Sequence, residues 1–168
     1  MICVSKKKSY LKSQNLKIFG QGKLSGIVEI SGAKNSALVL MAASLLTNER
    51  IVLQNVPCLT DIEKMGNILK SLSIKLIQKK NSLEIDPENI SIKELPYELV
   101  KGLRASFFCI GALLTKFGEA QVPLPGGCNI GSRPIDEHIN GLIALGADII
   151  IEEGIVKAKI RGNKNRLH

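Results

Sequence analysis

Two stretches, SALVLMAASLLT at residues 36–47 and RASFFCIGALLT at residues 104–115, share an apolar helical pattern and the same Leu-Leu-Thr ending, 68 residues apart. Each is followed by a second matching pair: TDIEKMGNILKSLSIKLI at 60–77 lines up with RPIDEHINGLIALGADII at 133–150, at an offset of 73. The matched order and shared ending point to an internal duplication rather than to two unrelated amphipathic segments. The second copy gains five residues, which fall in the stretch containing LPGGCNIGS, Leu124 to Ser132.

Each copy reads as helix, strand, helix, strand, strand, so the fold class is α/β. In the first copy, Lys34 to Leu46 is apolar enough all round for a buried helix, with Ser31 and Gly32 as its entry. Ile51 to Gln54 is a short strand ended by Asn55 and Pro57. Thr60 is expected to cap a helix running to about Leu72, with Asp61 and Glu63 in its first turn, where carboxylates favour the helix dipole. Ile74 to Ile77 and Ser82 to Ile85 read as a hairpin-like pair. The second copy repeats this with a helix over 104–114, a strand over 119–122, the Gly-rich loop, a helix over 135–145, and strands over 148–152 and 155–160. The repeat units thus span about 34–86 and 103–160. Lys23 to Ile30 alternates as a further strand ahead of the first unit, and Asp86 to Pro96 is a polar connection.

The 168 residues, 45% hydrophobic and 23% charged, suffice for an ordinary domain with a sizeable core and are unlike a disordered chain. The longest apolar runs, over 37–46 and 107–114, fall short of the roughly 20 residues a bilayer span requires, so no membrane partner is expected. Net charge is +8, but residues 1–28 hold six lysines and no acid, and residues 154–168 hold five cations and no acid. The body between them carries the other twelve cations against all fifteen acids. With the basic excess at the two ends and only 4% aromatic residues, no nucleic-acid partner is expected. The N-terminus lacks an apolar signal core and contains no arginine, so residues 1–15 read as a solvated basic extension of a cytoplasmic protein. Cys3, Cys58, Cys109 and Cys128 form no C-x-x-C pair and have no histidine at ligand spacing. Neither a metal site nor a disulfide framework is expected, and the thiols read as reduced.

If the first helices of the two copies pack side by side and parallel, Lys34 and Arg104 meet at one end of the domain. Helix N-termini carry unpaired N–H groups and partial positive charge, so two cations there suit a phosphate or a carboxylate. Two solvated surface cations are the other reading of the same pair. In LPGGCNIGSRPID, residues 124–136, Gly126 and Gly127 let the backbone bend sharply, and Arg133 lies near enough in sequence to favour the Cys128 thiolate. Asp136 falls in the first turn of the next helix, whereas His138 reads as a surface or packing residue. Cys109 lies in an apolar helical run and reads as core.

ISGAKNSAL (30–38), LRAS (103–106) and LPGGCNIGSRPID (124–136), in this order, resemble the UDP-N-acetylglucosamine 1-carboxyvinyltransferase family of enolpyruvyl transferases. The related transferases that make enolpyruvylshikimate phosphate share the fold but lack the cysteine loop. The resemblance runs from about Lys17 to the C-terminus. It implies an inside-out α/β domain built from repeated βαβαββ-type units. It also implies transfer of enolpyruvyl from phosphoenolpyruvate to the 3′-hydroxyl of UDP-N-acetylglucosamine with release of phosphate, a step of peptidoglycan synthesis and hence of cell-wall biogenesis, cell shape and division. By the same resemblance, Cys128 and Lys34 are catalytic, Cys128 as a proton donor and the target of fosfomycin, and Lys34 and Asn35 contact phosphoenolpyruvate. Arg104 binds substrate, and Arg133, Pro134, Ile135, Asp136 and Glu137 contact the UDP sugar. No cofactor and no metal are implied.

Members of that family are well over twice as long, with two domains of three units each. The resemblance therefore implies that residues 34–168 are a partial catalytic domain of about two units, and that residues 16–33 form a strand that packs with the second domain. The family's general-base aspartate has no counterpart here, so this chain alone is expected to be inactive without the missing C-terminal half. The alternative reading is a non-catalytic anion-binding or assembly module that requires a partner chain.

Overall fold

The computed structural model of the chain describes residues 25–88, 90, 94–126 and 135–162. In the first unit α1 (Lys34–Ala43) runs into a 3-10 turn (Ser44–Leu46), followed by β1 (Ile51–Leu53), α2 (Thr60–Ser71), β2 (Lys75–Lys79) and β3 (Ser82–Asp86). A short α3 (Tyr97–Val100) leads to the second unit. There a 3-10 segment (Arg104–Phe108) continues into α4 (Cys109–Phe117), followed by β4 (Glu119–Pro123), α5 (Asp136–Ala144), β5 (Ala147–Glu152) and β6 (Ile155–Ile160).

Each unit builds its own three-stranded sheet, and the two sheets share one topology. The strand orders are β1-β3-β2 and β4-β6-β5, with every pairing antiparallel, so the last strand of each unit is central. Its two neighbours consequently run parallel to each other, with α2 or α5 as the connection between them. The duplication read from the sequence is thus repeated in topology as well as in element order.

α1 packs on the 3-10 segment of the second unit and on α4, and the 3-10 turn that ends α1 also packs on α4. Start therefore meets start and end meets end, so the two lead helices are parallel. α1 buries Ala37, Leu38, Met41 and Ala42, and leaves Val39 and Leu40 about half exposed. The core stripe of α2, Ile62, Met65, Ile68 and Leu69, follows helical spacing and joins one hydrophobic cluster spanning both units. At the far end of the helix pair, the Lys116 ammonium donates to the Thr47 carbonyl (2.9 Å) and to Asn48 Oδ1 (2.7 Å). Partial burial holds the Lys116 pKa below the usual lysine range, a desolvation cost that these two hydrogen bonds offset. On β3, Glu84 pairs with Lys79 and Arg50, and these contacts, Lys79 foremost, lower its pKa.

Several local expectations are corrected. Ala33, not Ser31 or Gly32, is the N-cap of α1, and it makes no side-chain capping bond. Gly32 serves a different purpose: a Cβ there would lie 1.9 Å from the Asn55 carbonyl oxygen, so the chain enters α1 by crossing the end of β1 at a distance only glycine permits. Thr60 is the first helical residue rather than the cap; the Leu59 carbonyl accepts from Ile62 (3.0 Å) and Glu63 (3.2 Å). The second lead helix begins as 3-10 because Leu103 O accepts from both the N–H (3.1 Å) and the hydroxyl (2.6 Å) of Ser106, which tightens the first turn. Residues 25–30, where alternation predicts a strand, form none: Ile27 and Ile30 are 98% and 81% exposed, and no described strand pairs with them. α3 was not expected; Pro96 sits at its N-cap with a fixed φ. Cys58 is disulfide-bonded, whereas reduced thiols are expected from the sequence, because spacing rules see only cysteines close along the chain. Cys109 is free and buried, and burial pushes its thiol up to about 12.

Candidate functional site

Parallel packing of the lead helices brings their starts to one end of the domain. Lys34 opens α1 and Arg104 opens the 3-10 segment, and neither start carries a side-chain cap. The first-turn N–H groups of α1 are therefore not satisfied by a capping side chain. A cleft of about 520 Å³ lies here, lined by Lys34, Asn35, Asp61, Lys101, Arg104, Gly126, Ile135 and His138 over an apolar floor that includes Leu38, Leu103 and Phe107.

Contacts between elements fix the walls. Lys34 Nζ pairs with Asp61 Oδ2 at 2.7 Å, joining the starts of α1 and α2. Lys64 Nζ donates to Gly102 O at 3.0 Å, tying α2 to the turn before Arg104. A Cβ on Gly126 would lie 2.6 Å from the Lys101 carbonyl oxygen, so the start of the Gly-rich loop sits directly against that turn. Lys101 pairs with Glu98, which raises its pKa, and its ammonium stands 5.6 Å from the Tyr97 ring centroid. The His138 ring meets Phe107 edge-on at 5.8 Å and Phe108 at 5.9 Å, which holds the start of α5 against the second lead helix. Among the described residues the lining holds three cations, Lys34, Lys101 and Arg104, and one carboxylate, Asp61, with Glu98 beyond the lining paired to Lys101. This balance, an uncapped helix start and the size of the cleft suit a small anion or the anionic part of a larger ligand.

Of the sequence-predicted site residues, the fold brings Lys34, Asn35, Arg104 and Ile135 into this cleft. Asp136 and Glu137 lie in the exposed first turn of α5, next to Ile135 but outside the cleft lining. Cys128, Arg133 and Pro134 lie outside the described residues. Sequence reasoning missed Asp61 and Lys101 as cleft residues. Asp61 was legible only as a helix-dipole carboxylate, and Lys101 had no motif of its own. A second cleft of about 550 Å³, bounded by Cys58, Glu63, Lys70 and Leu76, contains none of the predicted residues. Among the described residues, no group of three or more His, Cys, Asp or Glu is placed to hold a metal ion, and no helix is long and apolar enough to cross a membrane.

Fold and site together define an α/β protein of duplicated units with a cationic cleft at the paired starts of its lead helices. The chain belongs to the EPSP synthase (3-phosphoshikimate 1-carboxyvinyltransferase) family, which it matches over residues 18–168. It is 86% identical over its whole length to proteins named UDP-N-acetylglucosamine 1-carboxyvinyltransferase from Prochlorococcus marinus strains AS9601 and MIT 9312. It spans 37% of the length of those relatives. Among solved structures, the enolpyruvyl transferase NikO from Streptomyces tendae superposes on 84% of this chain and 31% of its own, with a TM-score of 0.69 at 22% identity, a likeness of fold.

Proposed function

We propose that this chain supplies part of the site that transfers enolpyruvyl from phosphoenolpyruvate to the 3′-hydroxyl of UDP-N-acetylglucosamine with release of phosphate, a cytoplasmic step of peptidoglycan synthesis. The observation that carries the reading is the meeting of Lys34, Asn35 and Arg104 in one cationic cleft of a chain 86% identical to proteins bearing that activity's name. Phosphoenolpyruvate carries a phosphate and a carboxylate, and the start of α1 with its lysine is suited to such a group. In the proposed reaction the sugar hydroxyl adds to C2 of the enolpyruvyl group while C3 gains a proton. Loss of a C3 proton and of phosphate from the resulting adduct then restores the double bond. Cys128 is the proposed proton donor and fosfomycin target, and Arg104 with Arg133 to Glu137 the proposed contacts to the UDP sugar.

Two further parts of the reading concern the sequence that the relatives have beyond the matched region. The exposed apolar residues Ile27, Val28 and Ile30 support a role for residues 16–33 as a strand completed by a second domain. A base for the sugar hydroxyl is proposed to come from that region too, along with closure that excludes water. The test is phosphate release dependent on both substrates. The purified chain is expected to give none, and addition of the remaining segment of a Prochlorococcus relative is expected to restore it. Turnover by the chain alone that disappears in Cys128→Ala would overturn the need for a second domain. Failure of the combined segments to bind either substrate would favour a non-catalytic assembly module.

A further inference from the structure

We infer that Asp61 is a positioning residue for Lys34, holding its ammonium in the cleft so that an incoming phosphate or carboxylate meets a cation already in place; the inference rests on the anion-site reading above. The two residues lie 27 positions apart on different helices, and their contact of 2.7 Å exists because α1 packs on α2. Both line the cleft. Asp61 stands in the first turn of α2, where the helix dipole favours its carboxylate and makes it a firm anchor. An ammonium has three donors, so one can serve Asp61 while two face a ligand. A lysine on a flexible four-carbon stem loses rotamer freedom when an anion immobilises it, and a partner that restrains it beforehand reduces that cost.

The competing expectation has the opposite sign. If Asp61 acted only as a negative charge near an anion site, neutralising it would strengthen anion binding. Positioning predicts weaker binding in Asp61→Asn despite the loss of a repelling charge, by up to about five-fold, the ceiling for a solvent-exposed ion pair. Asp61→Glu, which keeps the charge, should recover part of the loss.

The experiment is titration of the full chain with inorganic phosphate, followed by amide chemical shifts of the α1 start, with circular dichroism confirming that each variant is folded. Asp61→Ser, which is compatible with a helix start, replaces the Asn variant if that one does not fold. Saturable binding by the unaltered chain, loss in Lys34→Ala, and weakening in Asp61→Asn with partial recovery in Asp61→Glu are the results expected. Equal or tighter binding by Asp61→Asn, with the Lys34→Ala loss intact, overturns the positioning role alone. No phosphate binding by the unaltered chain, or no loss in Lys34→Ala, overturns the anion site and this inference with it.

Discussion

Lys116 of the second unit reaches Thr47 of the first, its ammonium 2.9 Å from the Thr47 carbonyl oxygen, and so ties together the ends of the two parallel lead helices whose starts form the cleft. Lys116 also bonds Asn48, the residue that matches it in the first unit at the repeat offset of 68. Removing the ammonium while keeping the stem, as in Lys116→Met, is expected to lower stability by about 1.5–3 kcal/mol, the range for hydrogen bonds to charged groups. Urea unfolding of the two proteins measures it, and an unchanged midpoint would show that the clasp contributes nothing.

The repeat predicts equivalent roles for Leu46 and Leu114, but the structure separates them. Leu45, Leu113 and Leu114 are fully buried, whereas Leu46 is 54% exposed. α4 packs on β4 and β6 as well as on the first unit, which accounts for its deeper burial. Leu45→Ala and Leu114→Ala should each cost about 2–5 kcal/mol through cavity formation, and Leu46→Ala about 1 kcal/mol or less. Thermal unfolding of the three variants gives the comparison; a Leu46 effect as large as that of Leu45 would mean that this face is covered in solution.

Gly32→Ala places a methyl group where the Asn55 carbonyl oxygen stands, and backbone cannot swing aside as a side chain can. A destabilisation of about 3 kcal/mol or more is expected, at the upper end of overpacking costs. Calorimetry should show it, and a melting temperature within a degree of the unaltered chain would contradict the close approach.

Gly126→Ala meets the Lys101 carbonyl oxygen in the same way, but at the rim of the cleft. Its expected effect is weaker phosphate binding with a smaller loss of stability than Gly32→Ala, since the Gly126 side of the clash opens onto the cleft. Parallel phosphate titration and thermal unfolding separate the two effects.

Cys109 gives the pH dependence a definite sign. Its folded pKa of about 12 lies above the ordinary thiol value, so the neutral thiol is favoured by folding. The stability this represents is fully present below about pH 8.5 and is lost as pH rises towards 12, in total on the order of a few kcal/mol. Alkaline unfolding should shift to higher pH in Cys109→Ala relative to that variant's own neutral stability. Brief alkylation at pH 8 should leave Cys109 unmodified in the native chain.

The α/β class, the duplication, and most helix and strand positions are legible in the order of residues, because apolar periodicity and chain punctuation are local properties and the same pattern occurs twice. That order also named Lys34 and Arg104, since a cation at a helix start is a local feature, whereas Asn35 came only from the resemblance carried by ISGAKNSAL. Tertiary packing alone decided that those starts meet in a single cleft, that Asp61 pairs with Lys34, and that Lys101 and His138 stand beside them. It also decided that Gly32 is needed for its closeness to Asn55 rather than as a helix entry, and that residues 25–30, despite their alternation, form no strand. Each of these depends on contacts between residues distant in the chain, and a strand in particular exists only where a neighbouring backbone accepts its hydrogen bonds.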